Sequence, residues 1–258
     1  MPDPLVLLHG FTQTGASWDA VRAHLDLGDR PVVTPDQRGH GAAAEVRPIL
    51  LPAMAADAMA AAYGTPVGEA RPGAGSLGGT LALGGYSMGG RAALLAALAS
   101  PGRVSHLALI STTAGIEDDD QRQLRASADD LLATRLAEGT IEEIADSWGA
   151  GPLFAAQAPE VAAAARADRL RNTPAGLAAS LRGAGTGRMG NLWPGLGALT
   201  MPSLVLVGER DEKFRALGER LAAALPDAEF VVVPGAGHQL PLEAPAAVAA
   251  ALTALLQR

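Results

Sequence analysis

Three residues in this chain of 258 amino acids have the types and the order needed for reactions that begin with a proton transfer. They are Ser87, Asp211 and His238, in that order along the chain. A serine hydroxyl becomes a nucleophile or a base when a histidine accepts its proton and a carboxylate orients and stabilises the imidazole. We therefore predict that these three side chains meet in one catalytic site.

Ser87 lies in the segment 85–89, which reads Gly-Tyr-Ser-Met-Gly, between an apolar segment at 81–83 and a segment rich in alanine and leucine at 92–98. This pattern predicts a strand, a sharp turn and a helix, with glycines that permit the tight backbone and lift the hydroxyl clear of the sheet. The N-terminus of the helix brings backbone N–H groups and a positive dipole end to the serine. The same spacing occurs in ordinary glycine-rich turns with an exposed serine, so the motif needs the support of the other two residues.

Asp211 and His238 each follow a predicted strand, as Ser87 does. His9 and His40 also follow strands, but His9 belongs to a His-Gly turn that shapes the loop after the first strand, and His40 lies in a Gly-His-Gly turn. The competing acids are Asp36, Glu209 and Glu212. We favour Asp211 because it lies farther past the end of its strand, where its side chain can turn inward.

Two backbone N–H groups are predicted to form an oxyanion hole beside the serine. One belongs to Met88, directly after the nucleophile, and the other to Phe11, directly after His9 and Gly10. A glycine at position 10 allows the backbone to approach closely.

Strands and helices alternate along most of the chain. The predicted strands are 5–8, 31–35, 81–83, 104–110, 203–207 and 230–233. The predicted helices between and after them include 50–62, 91–99, 214–224 and 245–255. This alternation predicts an α/β fold, a mostly parallel sheet with helices on both faces, and it places all three candidate catalytic residues at the carboxyl ends of strands.

One part of the chain, 115–195, contains helical patterns and no convincing strand. We predict that residues 1–114 and 196–258 form the α/β core and that 115–195 form an inserted helical lid. The helical patterns in it are 122–136, 141–148, 159–170 and 174–181. Such an insertion would lie over the carboxyl ends of the strands, where open α/β sheets bind ligands.

Composition excludes several classes of function. The net charge of −7 disfavours nucleic acid as a partner. The absence of cysteine excludes disulfides and thiolate sites, and five scattered histidines predict no metal site. The glycine-rich loop at 64–79 holds only a weak nucleotide-binding match at Gly73 and Gly75, so we predict no cofactor.

No apolar run approaches the ~20 residues of a membrane helix, and the first residues lack a basic targeting region, so a cytoplasmic protein without membrane insertion is expected. The oligomeric state is left open.

Several motifs resemble the α/β-hydrolase superfamily, and four resemble one family within it more narrowly, the 2-succinyl-6-hydroxy-2,4-cyclohexadiene-1-carboxylate (SHCHC) synthases of menaquinone biosynthesis. The broad marks are His-Gly-Phe at 9–11, Gly-His-Gly at 39–41 and Gly-His at 237–238, besides the serine motif itself. The narrower marks are Leu-His-Gly-Phe-Thr-Gln-Thr-Gly-Ala-Ser-Trp at 8–18, the serine motif continued to Arg91, and Gly-Glu-Arg-Asp-Glu-Lys-Phe at 208–214. The fourth is a helical segment with Trp148 and spaced arginines.

The resemblance implies a lyase that removes a ring proton from 2-succinyl-5-enolpyruvyl-6-hydroxy-3-cyclohexene-1-carboxylate and eliminates pyruvate, with the activated serine as base. It implies that arginines bind the carboxylates of this small-molecule substrate, because a guanidinium matches a carboxylate bidentately and stays charged. The substrate-binding residues implied by the matching positions are Arg91, Arg125, Arg171, Tyr86 and Trp148. The helical offset favours Arg171 only weakly over Arg169.

A serine hydrolase, either a carboxylesterase or a carbon–carbon bond hydrolase, is the alternative function on the same fold and triad. The motifs common to the superfamily identify the fold and not the reaction. A binding protein of this fold without catalysis would have a defective triad, whereas Ser87, Asp211 and His238 are all present.

Overall fold

A parallel sheet brings the carboxyl ends of its strands to one edge, and the candidate catalytic residues follow three of them. The computed structural model describes residues 2–70 and 79–258, so the Gly73 and Gly75 match lies outside the described residues. The strands are β1 (Leu5–Leu8), β2 (Val32–Val33), β3 (Leu81–Tyr86), β4 (Val104–Ile110), β5 (Ser203–Gly208) and β6 (Ala228–Val233). Their order in the sheet is β2-β1-β3-β4-β5-β6, and every pairing is parallel. The prediction of an α/β fold is confirmed.

The helices, in chain order, are α1 (Asp19–Arg22), α2 (Leu51–Ala61), α3 (Met88–Ala99), α4 (Asp119–Glu138), α5 (Ile141–Gly149), α6 (Pro159–Arg169), α7 (Pro174–Ala184), α8 (Glu212–Ala224), α9 (Leu240–Glu243) and α10 (Pro245–Leu255). Side chains alternate across the strands, so the sheet buries a separate apolar cluster on each face. Val6 and Leu8 pack with α2 and α3 on one face. Leu5 and Leu7 pack with α10 on the other.

Strand β2 is shorter than the five residues 31–35 suggested by the sequence. Only Val32 and Val33 pair with β1, at the edge of the sheet. Pro31 and Pro35 flank them, and proline has no N–H group to donate to a neighbouring strand. Of the three residues between the prolines, only these two valines form the strand.

Between β4 and β5 the chain forms four consecutive α-helices, α4 to α7, which we call the cap helices. Polar side chains mark where several of them begin: Asp118 accepts the Gln121 N–H, and Thr140 forms a capping box with Glu143. Leu136 and Leu177 belong to a third apolar cluster, against which Phe11 of the core packs. In the described part of the chain, no helix is long and apolar enough to cross a membrane.

Candidate active site

Ser87 occupies a strained turn between β3 and α3. Its φ of 51° lies in the left-handed region, which costs a residue with a side chain about 1–3 kcal/mol. The turn is anchored because the Ser87 N–H donates to the Ile110 carbonyl at 2.9 Å. A Cβ on Gly89 would lie 2.2 Å from the carbonyl oxygen of Leu8, and one on Gly85 would lie 2.3 Å from the backbone of Gly89. Both glycines are needed because backbone occupies the space of a side chain.

The structure brings Ser87, His238 and Asp211 within hydrogen-bonding distance of one another. His238 Nε2 lies 3.3 Å from Ser87 Oγ, and His238 Nδ1 lies 2.6 Å from Asp211 Oδ2. The side chains of His238 and Asp211 are 4% and 1% exposed. Asp211 also caps α8 by accepting the Phe214 N–H, which holds its carboxylate in place. The geometry is that of a hydroxyl, a general base and an orienting acid.

The competing histidines and the competing acids have other partners. Buried His9 accepts the Gln37 N–H at Nε2, and His40 packs edge-on against it. Burial lowers the pKa of His9 to about 4 and that of His40 to about 3, so both imidazoles are neutral near pH 7. Asp36 accepts the Gly15 and Ala42 N–H groups, Glu209 accepts the Gly235 N–H, and Glu212 is exposed.

Two backbone N–H groups next to Ser87 are available to a ligand. Phe11 and Met88 line the same cavity as Ser87, and among the described residues neither amide has an acceptor. The neighbouring Gly10 N–H, by contrast, donates to Gln13 Oε1. A Cβ on Gly10 would lie 2.5 Å from the Tyr86 ring, so a larger residue would displace this loop.

The cavity above Ser87 has a volume of about 340 Å³ and is bounded by both the core and the cap helices. Trp148 of α5 and Phe154, between α5 and α6, contribute aromatic surface. Tyr86 is buried beside His238, with ring centroids 5.3 Å apart, and burial raises its pKa well above the usual value. The Trp148 ring packs edge-on against Phe11, and its buried Nε1 has no acceptor among residues 2–70 and 79–258.

Two arginines supply positive charge to the cavity wall. Arg91 is 7% exposed and donates to the Ala184 carbonyl at 2.7 Å. Burial, assisted by repulsion from Arg125, lowers the pKa of Arg91 to about 10, which still leaves it charged at neutral pH. Arg125 is held by Asp129, with Nε 2.8 Å from Oδ1. Both arginines belong to the predicted set.

The structure does not bring Arg171 to this cavity. Its side chain is 64% exposed and lines a shallow surface cleft beside Asp36, with Asp168 3.8 Å away. Arg169, the alternative that the sequence left open, is 2% exposed, and its guanidinium lies 5.2 Å from the ring centroid of Phe154. Its Nε has no partner in the described parts of the chain. The buried residues of α6 are Ala165, Asp168 and Arg169, so Arg169 faces inward. Arg169 does not itself line the cavity; it lies behind the ring of Phe154, which does.

Sequence reasoning missed Glu243, which holds the loop of the candidate base. Its carboxylate accepts the N–H groups of Gly237 at 2.6 Å and Gln239 at 2.9 Å, the residues on either side of His238. The side chain is 6% exposed. The only signal in the sequence is an acid five residues after the histidine, which is too common to single out.

No group of three or more His, Cys, Asp or Glu side chains within the described residues is arranged to hold a metal ion.

The chain has close relatives among known proteins. The Alpha/beta hydrolase family matches residues 5–251. A protein of Enterobacter sp. (strain 638) named 2-succinyl-6-hydroxy-2,4-cyclohexadiene-1-carboxylate synthase is 31% identical, over 98% of this chain and 91% of that protein. A relative from Bacillus subtilis (strain 168) is 40% identical, but that match spans 62% of this chain and 60% of the relative.

Two solved structures resemble the whole chain. MenH from S. aureus superposes with a TM-score of 0.85 at 28% identity, covering 99% of this chain and 93% of MenH. A thermophilic esterase from Thermogutta terrifontis, solved with malate bound, gives a TM-score of 0.82 at 29% identity, covering 100% and 90%. The near full-length match to a named synthase decides between these two neighbours: the chain belongs to the SHCHC synthase family of α/β hydrolases.

Proposed function

We propose that this protein converts 2-succinyl-5-enolpyruvyl-6-hydroxy-3-cyclohexene-1-carboxylate into SHCHC and pyruvate. The proposal is carried by one observation: a hydrogen-bonded serine, histidine and aspartate open into a cavity whose wall contains the buried cation Arg91. A substrate with several carboxylates needs such cations, whereas an apolar ester does not. The names of the relatives agree with this substrate.

In the proposed reaction the Ser87 hydroxyl takes the proton from ring carbon C2 while its own proton passes to His238 Nε2. Electrons of the C2–H bond form C2=C3, the C3=C4 double bond moves to C4=C5, and the C5–O bond breaks. Enolpyruvate leaves as an anion, takes up the proton from His238 Nε2, which restores the neutral imidazole, and tautomerises to pyruvate. Asp211 stabilises the imidazolium that forms in between.

Carbon C2 carries the succinyl carbonyl, so removal of its proton places negative charge on that carbonyl oxygen. We assign the Phe11 and Met88 amides to stabilise this enolate, because oriented N–H groups act most strongly where charge develops. We assign Arg91, Arg125 and Arg169 to the substrate carboxylates, with Tyr86 and Trp148 as further pocket residues. Arg169 takes the place that the sequence gave to Arg171.

We also propose that residues 1–114 and 196–258 form the α/β core that carries the catalytic residues, and that residues 115–195 form a lid over it. The cap helices support this, because Trp148, Arg125 and Ala184 come from them and line the cavity. A lid that excludes water strengthens the electrostatic interactions inside the site.

The proposal is tested by measuring pyruvate release from the enolpyruvyl substrate. Ser87→Ala and Arg91→Ala should each lower kcat/KM by more than about 100-fold, equivalent to roughly 2.7 kcal/mol of transition-state stabilisation. Arg135→Ala, which removes an exposed arginine of α4, should have little effect. Pyruvate release at the background rate by the wild type would contradict the proposal.

A serine hydrolase remains the second candidate because the similarity to the Thermogutta terrifontis esterase is nearly as high as that to MenH. Rapid cleavage of a short p-nitrophenyl ester, together with no elimination of pyruvate, would favour it. In that case Arg91→Ala should leave ester hydrolysis unchanged.

A further inference from the structure

The last turn of α6 and the residues directly after it bind the loop that carries Phe11 at two points. Asp168 accepts the Thr14 N–H at 3.0 Å with one carboxylate oxygen and the Thr14 hydroxyl with the other. Asn172 donates to the Thr12 carbonyl at 2.9 Å. These contacts join residues more than 150 positions apart in the chain, and all four side chains are at most 8% exposed.

Asn172 also ties this loop to a second one. Its side-chain oxygen accepts the Gly41 N–H at 3.1 Å, while its amide group reaches Thr12. One buried side chain thus connects the loops after β1 and β2 with the end of a cap helix. Arg169, assigned above to a substrate carboxylate, lies between Asp168 and Asn172 on the same turn.

The loop after β1 has a strained backbone at Thr12, whose carbonyl accepts the hydrogen bond from Asn172. Thr12 has a φ of 68°, in the left-handed region that a β-branched residue rarely adopts. Phe11 directly precedes it, so relaxation at Thr12 would rotate the peptide planes beside the Phe11 amide. The two contacts hold the chain at the carbonyl of the strained residue and two residues beyond it, at Thr14.

We propose that Asp168 and Asn172 are positioning residues that hold the Phe11 amide at its place beside Ser87. Neither side chain lines the cavity, so their effect passes through the loop. The inference rests on the proposed role of the Phe11 amide but not on the identity of the substrate. The contacts of Asp168 and Asn172 with the loop after β1 therefore set the geometry of the oxyanion hole.

The test compares Asp168→Ala with Asp168→Asn. Alanine removes both hydrogen bonds, whereas asparagine can accept the Thr14 N–H and donate its amide to the Thr14 hydroxyl. We expect Asp168→Ala to lower kcat for pyruvate release at least about tenfold with KM changed less than about threefold. Asp168→Asn should restore kcat to within about threefold of the wild type. A purely structural role would change the melting temperature without this rescue of kcat.

A second, milder variant tests the same contact if Asp168→Ala does not fold. Thr14→Val keeps the shape of the side chain and removes only its hydroxyl, and we expect an intermediate loss of kcat. The control is Arg166→Ala, on the same helix, whose exposed side chain pairs with Asp146 and does not touch the loop. It should leave kcat unchanged.

Acylation by a short p-nitrophenyl ester separates this inference from the proposed function. In that step Ser87 Oγ attacks the ester carbonyl, its proton goes to His238 and p-nitrophenolate leaves, so the same amides are used. A tenfold slower acylation in Asp168→Ala, with no pyruvate release even by the wild type, would support the positioning role and contradict the proposed function. Wild-type rates in folded Asp168→Ala and Thr14→Val, or equal losses in the alanine and asparagine variants, would overturn the positioning role.

Discussion

Arg169 and Arg171 offer a sharp test of how substrate is held, because they are two residues apart and differ in environment. Arg169 is 2% exposed, and its Nε has no partner among the residues that the structure describes, whereas the Arg171 side chain is 64% exposed. A charge-assisted hydrogen bond in a buried site contributes about 1.5–3 kcal/mol. Arg169→Met should therefore lower kcat/KM for pyruvate release by about 10- to 150-fold. Arg171→Met should change it less than about twofold, since exposed ion pairs contribute little.

The same substitution should not destabilise the protein. Burial lowers the pKa of Arg169, because its charged guanidinium is partly removed from water. Methionine has a similar length and no charge, so it removes the free-energy cost of keeping a guanidinium away from water. The lost contact with Phe154 offsets part of that gain, at about 0.5–2 kcal/mol.

The assay couples released pyruvate to NADH oxidation by lactate dehydrogenase, with melting temperatures measured on the same samples. The expected result is a large loss of kcat/KM in Arg169→Met at an unchanged or higher melting temperature. Equal losses in the two variants, or a fully active Arg169→Met, would refute the assignment of Arg169 to substrate.

Two further predictions concern the base and the buried histidines. Glu243→Gln can accept only one of the two N–H groups beside His238, so kcat should fall about tenfold at constant KM in steady-state assays; an unchanged kcat would show that the loop needs no such support. The pKa values of His9 and His40 are lower in the folded chain than the ordinary value of 6.5 that applies in the unfolded chain. Below pH 6.5 the unfolded chain therefore binds more protons than the folded chain does. The unfolding free energy should be level above pH 6.5 and fall below it, until about pH 4 for His9 and pH 3 for His40, by up to about 1.4 kcal/mol per pH unit for each. Urea denaturation at pH 7.5 and pH 5 measures this, and equal midpoints would contradict it.

Local patterns were enough to predict most of the strands and the loops that carry the three candidate residues. Residues 5–8 and 104–110 were predicted with the bounds that the structure has, because continuous apolar runs between turns leave few alternatives for a buried parallel strand. The positions of Ser87, Asp211 and His238 follow from the same reasoning, since parallel strands bring their carboxyl ends to one edge. The meeting of these residues was therefore predictable from topology.

Contacts between distant segments were not predictable in the same way. The choice between Arg169 and Arg171 depended on where α6 ends, and the structure ends it at Arg169, so a helical offset carried to position 171 does not apply. The bonds from Asp168 to Thr14 and from Asn172 to Thr12 depend on how the cap helices sit on the core. Nothing in the spacing of these residues indicates that contact.

The cap helices leave the sheet after Ile110 and return at Ser203, and the two strands that they separate in sequence are direct neighbours, with Leu107 opposite Ser203. A change in the length or content of this excursion therefore leaves every strand register intact. Ser87 precedes this excursion, and Asp211 and His238 follow it, so the cap helices can change while the three strands before these residues keep their places. In a sheet connected in this way, the segment between β4 and β5 can vary independently of the three side chains at the strand ends.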